Sequence, residues 1–169
     1  VPVFLSEDEL RIFTETPSRD TLTGLAWGLL AYAGLRRGEV LKLQWGDIQD
    51  DVITIRDSKG INDRQLPVLP PLAARIRAAQ AARAGNNPRV FPGLDGKGWR
   101  PHAFDRAFKS HLRKAGLNVK KYTPHALRHT FATVLANAGV PLHQIARLLG
   151  HTRVGTAEVY IHVTHINLE

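Results

Sequence analysis

Between Thr123 and His151 the chain reads T-P-H-A-L-R-H-T-F-A-T-V-L-A-N-A-G-V-P-L-H-Q-I-A-R-L-L-G-H, and Tyr160 follows nine residues after that histidine. No other stretch restricts the fold as much. Thr123 is an N-cap residue type and Pro124 suits the first helical position, so a helix opens there. Leu127, Phe131 and Leu135 recur at helical spacing and form its core face. Gly139-Val140-Pro141 makes a turn, Leu142 to Leu149 a short helix, and Gly150 its stop. Thr152 or Thr156 then caps a last helix carrying Tyr160. The same run sets up chemistry, because His125 and Arg128, three residues apart, share a face at a helix start. Unpaired N–H groups and the positive end of the helix dipole attract an anion there, and an arginine fork adds a charged bidentate donor.

Earlier in the chain, Ser6-Glu7-Asp8-Glu9 has the spacing of a capping box and opens a short helix through Thr14. A second helix covers Thr21 to Ala33, with Leu22, Leu25, Trp27, Leu29 and Leu30 mostly inside, and ends at Gly34. Val52 to Arg56 and Gln65 to Val68 flank the polar segment D-S-K-G-I-N-D-R and read as a hairpin. Pro70-Pro71 opens an Ala-rich helix to Arg83, with Leu72, Ile76 and Ala79 inward and Arg75 and Arg77 in water. Gly85 to Pro88 breaks it and Val90-Phe91 reads as a short strand. Gly93 to Trp99 is a Gly-rich loop, but it lacks the Gly-Lys-Ser/Thr ending of a P-loop. Pro101 to Ala115 forms a helix with Phe104, Phe108 and Leu112 buried and Arg106, Lys109, Arg113 and Lys114 outside. The expected class is mainly α with a small antiparallel β-sheet (α+β).

At 169 residues the chain reads as one domain, 1–169, large enough to hold its own core. Cysteine is absent, so there is no disulfide framework and no Cys-ligated metal, which fits a reducing cytoplasm. The longest apolar run, Leu22 to Leu35, is broken by Thr23 and Gly24 and is too short to span a bilayer. Lys and Arg number 23 against 15 Asp and Glu, a net +8 that favours a nucleic-acid partner. On charge alone, a merely soluble basic surface is the alternative. His125 and His129 stand four apart, but no Glu lies beside His125 as H-E-x-x-H requires, so no metal site is expected. His102, His111, His143, His162 and His165 read as surface or structural. The start at Val1-Pro2-Val3, without an initiating Met, is expected of an excised domain, and Leu168-Glu169 of a cloning scar.

Three features taken together, H-x-x-R from His125 to Arg128, L-L-G-H ending at His151 and Tyr160 nine residues on, resemble the carboxy-terminal signature of the tyrosine recombinases, the phage-integrase family. G-L-R-R-G-E, from Gly34 to Glu39, resembles that family's first arginine box. On this match Arg36 is the catalytic arginine and Glu39 its acidic partner; taken alone, the same residues make a helix-turn with a surface ion pair. Arg37 departs from the family, which often has a smaller or apolar residue there. Lys59 resembles the family's mobile hairpin lysine, with Arg64 as its nearest rival and a DNA-backbone contact.

The resemblance covers essentially the whole chain and implies the catalytic domain of such an enzyme, without the amino-terminal core-binding domain. The activity it implies is site-specific DNA recombination through a 3′-phosphotyrosyl intermediate, with Tyr160 as nucleophile. Arg36 and Arg128 would clamp the non-bridging oxygens and His151 would add a hydrogen bond. His125 would serve as acid or base and Lys59 would protonate the leaving 5′ oxygen. No nucleotide or metal cofactor is implied. The implied partners are double-stranded DNA and, at full length, three further copies in a homo-tetramer on paired sites, with the isolated domain monomeric. The implied setting is the nucleoid in the cytoplasm, with no membrane. Arg37, Arg64, Arg106, Lys109, Lys120 and Lys121 are candidates for DNA-backbone contacts, with a charged solvent face as the alternative. Two rival readings are a type IB topoisomerase and a helix-turn-helix DNA binder built on Gly139 to Gly150. The helix-turn-helix reading leaves the Arg36 box and Tyr160 without a purpose.

Overall fold

In the computed structural model, which describes residues 2–49, 51–56 and 63–150, Ser6 caps α1 (Glu7–Glu15) as its spacing dictates. The Ser6 hydroxyl accepts from the Glu9 N–H and the Glu9 carboxylate from the Ser6 N–H, each at 3.1 Å, so two otherwise orphaned donors are satisfied reciprocally. Asp20 caps α2 (Thr21–Ala33) by accepting from the Thr23 N–H at 2.7 Å. α2 is apolar on every side, and a helix of that kind belongs in the middle of a core. Leu25, Ala26, Leu29 and Leu30 are fully buried, and the helix packs against α4 (Pro70–Ala81) and α6 (Pro124–Asn137). Around Trp27 stand Phe104 and Phe108 of α5 (Pro101–Lys114), edge-to-face at 5.4 and 5.6 Å, a geometry the ring quadrupoles favour.

At Gly34 α2 stops with φ at +66°, and a Cβ there would collide with the Phe131 ring. The left-handed turn and the close approach both require glycine. The chain then enters α3 (Arg37–Lys42) and a 3-10 turn (Trp45–Asp47). The sheet follows as β1 (Ile48–Gln49), β2 (Val52–Ile55) and β3 (Arg64–Pro67), antiparallel in the order β1-β2-β3. Ile53 faces Ile48 on one side and Leu66 on the other, and the buried face carries Ile53, Ile55 and Leu66. The hairpin is where the sequence places it. β1 is an addition, too short for any two-residue period to reveal. Val90-Phe91 is not a strand: pairing there is limited to one bridge between Gln44 and Arg89, and both residues are instead buried in the core.

α7 (Leu142–Leu149) lies on α6 through a small apolar cluster of Phe131, Ala132, Ile145, Ala146 and Leu149. The amino end is tied to α6 as well, since the Leu5 N–H donates to the Thr130 hydroxyl at 2.9 Å. Tyr122, just before α6, donates its hydroxyl to Glu9 at 2.6 Å; burial and the carboxylate beside it push that phenol up to about 12.

Two cations expected in water are used inside the fold. Arg75 donates to the Gly24 carbonyl at 2.7 Å and to the Thr14 carbonyl at 2.6 Å, which fastens α4 onto α2 and the end of α1. Lys109 donates to the carbonyls of Val119 and Tyr122 at 2.5 and 2.7 Å, closing the loop ahead of α6. Among the described residues no helix is long and apolar enough to cross a membrane.

Candidate active site

α6 opens as the sequence predicts, with Thr123 at the N-cap and Pro124 at the first helical position, but the Thr123 side chain makes no capping bond. The Ala126 N–H donates to the Thr123 carbonyl at 2.9 Å, but no side chain caps this first turn, which suits an incoming anion. His125 stands on that turn with its ring edge-to-face with His129 at 4.5 Å. Partial burial, then the positive charges of Arg128 and Arg36, hold the His125 pKa below the usual histidine value.

Arg128, one turn further along α6, is 1% exposed. Its Nη1 donates to the Gly34 carbonyl at 2.8 Å and its Nη2 to the Leu149 carbonyl. These bonds hold the guanidinium between the end of α2 and the end of α7. Arg36 lies two residues beyond Gly34, at the N-cap of α3, with its N–H donating to Glu39 at 2.8 Å and its Nη1 3.4 Å from the same carboxylate. Arg36 keeps 44% of its side chain exposed, so it is open to a ligand from solvent. Arg37 pairs with Asp105 of α5 at 2.8 Å.

Arg64 departs from its expected place on DNA. Its side chain is 9% exposed, its Nη1 and Nη2 donate to the two Glu39 oxygens at 2.6 and 2.8 Å, and its Nε donates to the Leu148 carbonyl at 2.7 Å. Three donors in a planar fork are already engaged, so the group is structural where solvent contact was expected. Burial alone would raise the Glu39 carboxyl, but the bonds from Arg64 and from the Arg36 backbone outweigh it and hold the pKa below the usual range. Glu39 is therefore a fixed anion that neutralises the arginine box. No sequence spacing signals the Arg64 contact, which joins β3 to α3 and α7.

Lys120 and Lys121 are exposed and sit in the turn before α6, where the Asn118 side chain accepts from both backbone N–H groups at 3.0 and 3.1 Å. Arg106 lies apart on α5, lining a groove with Arg19, Trp99 and Arg100. Lys109, engaged with two carbonyls, cannot serve DNA from its observed position. Lys59, His151 and Tyr160 lie outside the described residues. Among the described residues no group of three or more His, Asp or Glu side chains is arranged to hold a metal ion. The described part of the site thus has Arg36 open to solvent, His125 on the first turn of α6, and Arg128 held between the ends of α2 and α7.

Comparison with known proteins gives the same direction. The phage integrase family matches residues 3–166. Tyrosine recombinase XerA from Pyrococcus furiosus is 33% identical over 175 residues, covering 100% of this chain and 60% of that protein. A crystal structure of XerA recombinase superposes with a TM-score of 0.87 at 31% identity, covering 98% of this chain and 60% of the other. XerH recombinase, solved bound to its difH substrate in a pre-cleavage complex, shares the fold with a TM-score of 0.83 at 22% identity, over 99% of this chain and 51% of that one. The chain thus spans about 60% of the length of the XerA protein it matches.

Proposed function

Because the chain belongs to the phage integrase family, we propose that it breaks and rejoins double-stranded DNA as the catalytic domain of a tyrosine-type site-specific recombinase. The observation that carries this reading is the Arg128 guanidinium fixed on the Gly34 carbonyl, two residues before Arg36 of the arginine box, one turn along α6 from His125. Tyr160 supplies the nucleophile: its phenol oxygen forms a bond to the scissile phosphorus while the bond from phosphorus to the 5′ oxygen breaks. The 3′-phosphotyrosyl product conserves the bond energy, and attack by a 5′ hydroxyl reverses the step. Arg36 and Arg128 stabilise the charge on the non-bridging oxygens, acting as preorganised donors to a developing anion. The lowered pKa favours the neutral form of His125, which can accept the phenol proton. Lys59 gives a proton to the leaving 5′ oxygen, and His151 donates to a non-bridging oxygen.

At full length the protein works on paired DNA sites as a homo-tetramer at the nucleoid; this domain alone is monomeric and contacts DNA backbone through Lys120, Lys121, Arg37 and Arg106. The XerH recombinase, whose structure holds its difH substrate, supports DNA as the partner. The test is incubation with nicked suicide duplexes of candidate sites, which trap the covalent product. Wild type is expected to give a protein–DNA band and Tyr160→Phe none, at unchanged melting temperature. A band from Tyr160→Phe would remove Tyr160 as nucleophile.

A further inference from the structure

A closed circuit of hydrogen bonds surrounds the two arginines of the site. Beginning at Gly34, whose carbonyl accepts from Arg128 Nη1 at 2.8 Å, it passes through Arg128 to the Leu149 carbonyl. One residue back, the Leu148 carbonyl accepts from Arg64 Nε at 2.7 Å, and the Arg64 fork binds both Glu39 oxygens. Glu39 accepts from the Arg36 N–H at 2.8 Å, two residues from the start. Every other bond in the circuit belongs to a residue of the arginine box, to Arg128 or to the end of α7. Arg64 comes from a separate element, β3, and closes it.

We propose that Arg64 is a positioning residue for the cleavage step, setting Arg36 relative to Arg128 by holding Glu39 and the end of α7 in one fork; this rests on the recombinase reading above. Only a guanidinium fits the position. The last carbonyls of a helix have no intrahelical donor, and α7, eight residues long, is too short to hold its own shape without tertiary contacts. Arg64 and Arg128 supply adjacent donors to its final carbonyls and also place positive charge at its negative end. Packing confirms how close the approach is: a Cβ on Gly150 would lie 2.8 Å from Arg64 Nη1, so the helix stop and the fork are fitted to each other.

The test compares single-turnover cleavage by wild type, Arg64→Ala and Arg64→Lys at saturating DNA, on nicked suicide duplexes with oxygen or with sulfur at the bridging 5′ position, alongside DNA affinity and melting curves. Arg64→Ala is expected to cleave about 10²-fold more slowly, the scale of a misplacement near 1 Å, on both substrates and at unchanged affinity. Arg64→Lys should also be slow, because an ammonium is a point charge and cannot span a carbonyl and two carboxylate oxygens. Should Arg64→Ala fail to fold, Arg64→Lys carries the same comparisons.

Three results would overturn the proposal. Rescue of the variants by sulfur would make Arg64 a proton donor, since a thiolate leaves without one. A salt slope smaller by about 0.9 with weaker binding would make it a phosphate contact. A wild-type cleavage rate in a folded variant with a lower melting temperature would make it a stabiliser only. A wild-type chain that forms no adduct would instead remove the recombinase reading, and this proposal with it.

Discussion

Arg36 and Arg128 have the same assigned chemistry but opposite surroundings, and the difference is measurable. Each variant to Ala should slow single-turnover cleavage by about 10²–10³, roughly 2.7–4 kcal/mol for the loss of one preorganised donor. Arg36 is exposed and its guanidinium serves no internal carbonyl among the described residues, so Arg36→Ala should leave the melting temperature close to wild type. Arg128 is buried and serves two carbonyls; its removal strands those acceptors, at a cost of about 1–3 kcal/mol each when no replacement donor reaches them. Arg128→Ala should therefore melt earlier as well as cleave slowly. Melting curves and cleavage rates on the same preparations check both halves. If both variants cleaved at the wild-type rate, the phosphate clamp would be wrong. His125 belongs at this scale too: its depressed pKa follows from partial burial and from the two cations whose roles are being tested.

At the scale of elements, helix ends decide the site. Gly34 ends α2 and Gly150 ends α7, both in the left-handed region, with φ of 66° and 74°. An L-residue pays about 1–2 kcal/mol there, which is several degrees of melting temperature in a domain of this size. Gly34→Ala should cost more than Gly150→Ala, because its Cβ would press closer on the Phe131 ring in the core than that of Gly150 on the Arg64 guanidinium. The reverse ranking in thermal melts would contradict this packing. These stops were legible in the sequence, as were the limits of α2 and α7 and the hairpin, because caps, periodicity and turn residues are local signals. The pairing of Arg36 with Glu39 was legible for the same reason, at three residues apart. Arg64, Arg75 and Lys109 were not. Each bonds to carbonyls or carboxylates distant in sequence, and a basic side chain bound for a buried acceptor looks, in sequence, like one bound for water. β1 escaped because two residues show no alternation, and Val90-Phe91 misled because a short apolar run can be core without being strand.

For the molecule as a whole, pH and salt separate internal charges from external ones. His111 is buried against Phe13, with Nε2 2.9 Å from the Phe13 carbonyl. Burial lowers its pKa against the raising effect of that bond, with Lys114 and Arg75 adding to the fall. The unfolded imidazole titrates near its ordinary value of about 6.5. Below that pH the unfolded chain takes up a proton that the folded chain resists, so stability declines from about pH 6.5 down to the depressed folded value. His111→Gln keeps a donor but cannot titrate, so its melting temperature should fall less than that of wild type across this window; equal falls would exclude His111. Salt tests the outside. The net charge of +8 overstates what the DNA backbone can meet, because Arg64, Arg75 and Lys109 are engaged with internal acceptors. Lys120 and Lys121 stay exposed beside the start of α6. Each neutralised phosphate contributes about −0.9 to the slope of log affinity against log salt. The double variant Lys120→Ala, Lys121→Ala should thus flatten the slope by about 1.8 and weaken binding alike for all sequences. Lys109→Ala should keep the slope and lose melting temperature, because it releases two carbonyls inside the fold. An unchanged slope in the double variant would move the DNA path away from the start of α6. A flatter slope in Lys109→Ala would mean that its ammonium leaves those carbonyls when DNA binds.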